Sequence, residues 1–193
     1  MTKKILVLLL AVCSLFCFVA CGSAKSVTAE APAPTVDYTK GSISNNVYTN
    51  EWANIKFELD STTWKQGSTA DYASYETEGT ECGLIAGIAT EGRQLAIAFE
   101  ENPRNYNEES YLDNATKAMK ELVAGYTFSE YYKKTIAGKE YLGVDITLTQ
   151  NGATIHQAMY VKLYDGKFIG IVGTSITSKD EIASVIGKIT TVK

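Results

Sequence analysis

The run Leu142-Gly143-Val144-Asp145-Ile146-Thr147-Leu148-Thr149, followed by Asn151-Gly152, decides the fold class. Leu142, Val144, Ile146 and Leu148 alternate with Gly143, Asp145, Thr147 and Thr149. That period of two marks a strand with one apolar face. Asn-Gly readily takes the two positive φ angles of a type I′ turn, the connection whose twist matches that of an antiparallel pair. The chain therefore folds back, and Ile155, Met159, Val161 and Leu163 share a face of the return strand. Asp165-Gly166 repeats the signal and sends the chain into a last strand over 168–173. Three consecutive strands joined by tight hairpins make an antiparallel sheet.

Working outward, Ser178 and Glu181 fit a capping box ahead of Ile182, Val185, Ile186 and Ile189, which predicts an amphipathic helix at the C-terminal end. In the other direction a strand is expected over 129–136, and before it a longer helix. Asn107 reads as the N-cap of that helix, with Glu108 and Glu109 in the first turn, where acids suit the helix dipole. Tyr111, Leu112, Ala115, Ala118, Met119, Leu122 and Val123 follow at helical spacing, and Gly125 is the expected stop. Upstream, 83–89 and 93–100 are apolar runs joined at Glu91-Gly92. A two-residue turn there pairs Ile88 with Leu95, Ala86 with Ile97 and Leu84 with Phe99. Ile85, Gly87, Ala89, Ala96 and Ala98 make the other face, so both faces are expected to be covered, the second by something packed closely on small residues. Val47-Tyr48-Thr49 and Ile55, Phe57 and Leu59 read as short strands, and 71–76 as a helical turn. The expected fold is α+β, an antiparallel β-sheet with helices packed on its faces.

Several of these pieces also carry a resemblance. Val47-Tyr48-Thr49-Asn50, Ile55-Lys56-Phe57-Glu58-Leu59, Trp64, Glu109-Ser110-Tyr111-Leu112 and Ile136-Ala137-Gly138-Lys139-Glu140-Tyr141 resemble small clostridial-type surface lipoproteins with a PsbP-like fold. The resemblance spans about residues 46–190 and implies a PsbP-like sandwich. It implies little about activity, because one fold hosts many functions.

The N-terminus sets the expected address. Lys3 and Lys4 precede an uncharged run of 16 residues, 5–20, the layout of a secretory signal and short for a membrane span. It ends in Phe18-Val19-Ala20-Cys21-Gly22, which resembles the lipobox of bacterial lipoproteins. The resemblance implies cleavage after residue 20 and a lipid on Cys21. Cys13 and Cys17 leave with the signal, so only Cys82 remains in the folded part, and the domain must hold together without an internal disulfide. Loss of Lys3 and Lys4 takes the formal charge from −4 to −6, 16 basic against 22 acidic residues. An acidic domain is a poor nucleic-acid binder, and the lipid on Cys21 is the expected membrane link. The expected organisation is a signal peptide over 1–20, a lipidated Cys21 and Ala/Ser/Pro-rich tether over 21–44, and a single domain over 45–193, exported to the extracytoplasmic face of the membrane.

Motifs for chemistry are sparse. The chain has one histidine and contains no HExxH, CxxC or GxSxG. No cofactor or metal is expected. Acidic pairs such as Glu100-Glu101 read as solvated. With Asn151-Gly152 as the turn, His156 lies opposite Thr147, with Asp145 and Thr149 diagonal to it and Tyr160 and Tyr164 further along the same face. Tyrosine joins an apolar ring to a hydroxyl, so Asp145, Thr147, His156, Tyr160 and Tyr164 form the candidate ligand surface for an envelope protein, peptide or glycan. The reading is a non-catalytic binding or scaffold domain. The alternative is an envelope hydrolase using His156 and Asp145.

Overall fold

The computed structural model describes residues 36–60, 64–88, 91–150 and 152–192. The expected signal peptide over 1–20 and Cys21 lie outside these. Eleven strands and three helices are seen among the described residues. A three-stranded sheet is formed by β1 (Ser42–Ser44), β2 (Val47–Asn50) and β3 (Ile55–Glu58). The large sheet contains β4 (Lys65–Gln66), β5 (Thr80–Ile88), β6 (Arg93–Glu101), β7 (Tyr126–Phe128), β8 (Tyr132–Ile136), β9 (Lys139–Gln150), β10 (Ala153–Tyr164) and β11 (Lys167–Ser175). Its order is β4-β5-β6-β11-β10-β9-β7, with β8 also on β9 and every pair antiparallel. The helices are α1 (Thr69–Tyr75), α2 (Glu108–Leu122) and α3 (Lys179–Ile186). The fold is α+β, as the sequence predicts.

The two hairpins that the turns predict are present. Gln150 pairs with Ala153 and His156 with Thr147, while Tyr164 pairs with Lys167 around Asp165 and Gly166, both at positive φ. Both faces of the large sheet are covered. Ile155, Met159 and Val161 turn to a cluster with Leu112, Ala115 and Met119 of α2. The opposite faces of β5, β6, β10 and β11 pack against the small sheet and α3, through Tyr48, Trp52, Phe57, Ile182 and Val185. The small residues Ala96 and Ala98 lie beneath Tyr75 of α1 and Tyr111 of α2, the close packing expected of that face.

Four details differ from the sequence reading. First, Ile88 pairs with Arg93, Ala86 with Leu95 and Leu84 with Ile97, a register two residues away from the expected one. β5 ends at Ile88 and β6 begins at Arg93, so Glu91-Gly92 is not a two-residue turn between paired neighbours. Second, the packed domain starts earlier than residue 45. Asn45-Asn46, both at positive φ, is a hairpin turn between β1 and β2, and Tyr38 packs edge-on against Trp52 and Phe99. Third, Leu122 is 53% exposed and Val123 has left the helix, so α2 stops before Gly125. Fourth, Ser178 caps α3, but the Glu181 carboxylate accepts from Ser175 Oγ at 2.5 Å instead of closing the capping box.

The bulge in β5 explains how the N-terminal arm docks. The register slips between Cys82 and Leu84, leaving Gly83 as the extra residue. A Cβ built on Gly83 would collide with Tyr48 Oη, with the Lys40 carbonyl at 2.5 Å and with the Phe99 ring at 2.8 Å. Glycine is thus required by the close approach of another backbone. Gly83→Ala should push the arm off the sheet and cost on the order of 1–3 kcal/mol, read as a lower denaturant midpoint with an unchanged slope in the main transition.

Candidate functional site

β9 and β10 place the sequence-predicted residues as their register dictates, but the resulting surface is neither open nor continuous. The structure brings Asp145 and Tyr160 together through Tyr132 of β8. Tyr132 Oη donates to Asp145 Oδ1 at 2.7 Å and lies 3.0 Å from Tyr160 Oη, and Lys179 Nζ reaches Asp145 Oδ2 at 3.5 Å. Burial, helped by the hydrogen bonds to Tyr160 and Asp145, pushes the Tyr132 phenol well above its ordinary value. Tyr160 is itself buried, its ring lying over Gly143, where a Cβ would stand 2.7 Å from the ring. Tyr164 turns into the core against Trp52, with Lys139 Nζ 4.8 Å above its ring. Thr147 accepts at its carbonyl from Thr127 Oγ1 at 3.5 Å. His156 is half-buried and its Nδ1 finds no hydrogen-bond partner among the described residues. Asp145 therefore spends its oxygens on Tyr132 and Lys179 and does not orient His156 as an acid–histidine pair requires.

A different place combines a cavity with an unusual ionisable group. A cleft of about 390 Å³ opens between the turn over 77–80, the end of β6 and the loop that follows it. Such a volume is in the range of small-ligand sites. Its floor is Tyr111 of α2 and Phe168 of β11, rings 4.5 Å apart. The loop is held open by Asn102, whose amide clasps the Tyr106 backbone at 2.9 Å on both sides, and by Arg104, which donates to Tyr106 Oη at 3.4 Å. Glu100 stands at the centre, paired across the sheet with Thr80 on one side and Phe168 on the other.

Glu100 is not solvated, contrary to the sequence reading of the Glu100-Glu101 pair. It is half-buried, and Tyr111 Oη donates to its Oε2 at 2.8 Å. Burial pushes its carboxyl up to about 7, with the Tyr111 hydrogen bond opposing the shift. The signal was available in the sequence. Glu100 continues the every-second-residue series of Ala96 and Ala98, the face expected to lie beneath a close-packed element. A strongly shifted carboxyl in a cleft is a recognised mark of a functional site. As for metals, the described residues contain no group of three or more His, Cys, Asp or Glu side chains suited to hold an ion.

The comparisons with known proteins bear on the fold. The structure is similar to the solution structure of cyanobacterial PsbP (CyanoP) from Synechocystis, with a TM-score of 0.50 at 12% identity over 78% of this chain and 98% of that one. A second similar structure is LpqN, involved in cell envelope biogenesis of Mycobacterium tuberculosis, with a TM-score of 0.45 at 14% identity over 70% of this chain and 82% of that one. No family profile matches the chain, and no curated protein does. The fold is PsbP-like. No helix among the described residues is long and apolar enough to cross a membrane.

The shifted Glu100 has a measurable consequence for stability. A carboxyl whose folded value lies above its unfolded one stabilises the fold below the unfolded value, and that stability is lost as pH rises through the folded value. Wild-type stability should fall between about pH 4.5 and 7. Glu100→Gln should remove that fall, matching wild type near pH 4 and exceeding it by about 3 kcal/mol at pH 8, as measured by urea denaturation across the range.

Proposed function

We propose that this chain is an exported bacterial surface lipoprotein, held on the extracytoplasmic face of the membrane by a lipid on Cys21, whose PsbP-like domain binds a partner without catalysing a reaction. The address rests on the basic start, the uncharged run and Phe18-Val19-Ala20-Cys21. The binding role rests on one observation above the others, the cleft over 77–80 and 100–106 with a half-buried carboxyl at its centre. An envelope protein, peptide or glycan is the class of partner that an exported domain meets. The hydrolase alternative loses its main support because Asp145 is tied to Tyr132 and Lys179.

Two tests address the two halves of this reading. Cys21→Ser should move the protein from the membrane fraction to the soluble fraction of fractionated cells, and unchanged membrane retention would refute the lipid anchor. Thr77→Trp places a large ring at the rim of the cleft. It should lower recovery of envelope components on the immobilised protein at least tenfold without lowering the melting temperature; recovery equal to wild type would remove the cleft from the binding reading. An enzymatic activity abolished by His156→Ala would restore the hydrolase.

A further inference from the structure

Three carboxyl groups line the cleft, those of Glu78, Glu100 and Glu101, against one guanidinium, that of Arg104. They are not equivalent. Glu101 receives Lys167 Nζ at 3.4 Å, and Arg104 is turned to Tyr106. Glu100 has a neutral partner only, the Tyr111 hydroxyl on Oε2, and among the described residues no basic group lies within ion-pair distance of it. Its second oxygen, Oε1, accepts no hydrogen bond from these residues, and Glu100 lines a cavity large enough for a lysine or arginine side chain. A half-buried carboxyl without a counter-charge costs the fold stability whenever it ionises. The ring pair of Tyr111 and Phe168 beneath it favours positive charge as well, since the ring faces are electron-rich.

Resting on the reading of this cleft as the binding site, we infer that it takes an organic cation, a primary ammonium or guanidinium group that enters over the Tyr111–Phe168 floor and supplies the missing counter-charge to Glu100. The ammonium donates to Oε1 while Tyr111 holds Oε2. Glu78 and Glu101 at the rim raise the local concentration of positive ligands. The charged and titratable groups around Glu100 are Tyr111 from α2, Glu101 from its own strand, Lys167 from β11, Glu78 from the turn, and Arg104 and Tyr106 from the loop. None of these supplies the cation. Binding therefore couples to ionisation: the ligand favours the carboxylate, so a proton leaves Glu100 when the site fills near neutral pH.

The experiment is a calorimetric titration of the full-length protein with three probes: n-butylammonium, the peptide acetyl-Gly-Lys-Gly-amide and its uncharged norleucine counterpart. At pH 8 the lysine peptide should bind at least tenfold more tightly than the norleucine peptide, and Glu100→Gln should erase that difference. Near pH 6.5, titrations in buffers of different ionisation enthalpy should show proton release from wild type and none from the variant. Tyr111→Phe keeps the carboxyl but removes its hydrogen bond, so it should move the pH midpoint of lysine-peptide binding upward. Tighter binding of the peptide than of n-butylammonium identifies a partner's side chain, and the reverse identifies a free amine; both support the cation. Equal binding of the lysine and norleucine peptides, or equal lysine-peptide binding by wild type and Glu100→Gln, would overturn it. If Thr77→Trp still abolishes envelope binding while the two peptides bind alike, the cleft stands and the cation falls.

Discussion

A sheet covered on both faces has no solvent side on which to leave polar groups, and this constraint governs the molecule. The central strand β11 is buried almost throughout, and β6 and β10 are buried through their middles, with α1 and α2 on one face and the small sheet with α3 on the other. Every polar side chain inside must therefore find a partner or cost stability. Most do. Gln157 donates to Thr174 at 3.1 Å, Ser175 to Glu181 at 2.5 Å, and Tyr132 gathers Asp145 and Tyr160. Glu100 is the informative case, because its partner is neutral while its own preferred state in water is charged.

The same constraint explains why Tyr160 and Tyr164 turn inward instead of forming a surface. Period-two alternation identifies which residues share a face, and it placed Asp145, Thr147, His156, Tyr160 and Tyr164 together. It does not reveal what lies on that face. Tyr160 is 4% exposed and Tyr164 packs on Trp52, because the three-stranded sheet and α3 cover the strands where those tyrosines sit. Thr and Tyr are favoured in strands for their shape, so their presence there did not by itself mark a surface.

Local signals were legible and non-local ones were not. Asn151-Gly152 and Asp165-Gly166 impose their turns whatever surrounds them, so the registers of β9, β10 and β11 followed directly. The register of β5 on β6 shifts at the Gly83 bulge, where the Lys40 carbonyl crosses closely. No window of sequence around Gly83 contains Lys40. The first hairpin was missed for a different reason. Asn45-Asn46 is a turn signal of the same kind, but the strand before it, Ser42–Ser44, lies in the Ala/Ser/Pro-rich stretch that reads as a tether. β7 was hidden similarly, since Ser129 interrupts the strand by turning its hydroxyl to the Asp145 N–H at 2.9 Å.

The docked arm also brings the two ends of the functional reading together. Tyr38 donates to Glu81 at 2.5 Å and lies under Lys167, while Lys40 pairs with Glu76 at 2.7 Å. Glu76 and Glu81 flank the turn over 77–80 that walls the cleft, and Lys167 is the partner of Glu101 at its rim. The chain thus enters the domain beside the cleft. In a chain lipidated at Cys21, only 16 residues, 22–37, would lie between the anchor and Tyr38. An anchor so few residues away would favour partners close to the membrane surface. The acidic rim, repelled by anionic headgroups, would then be left free for a positively charged partner.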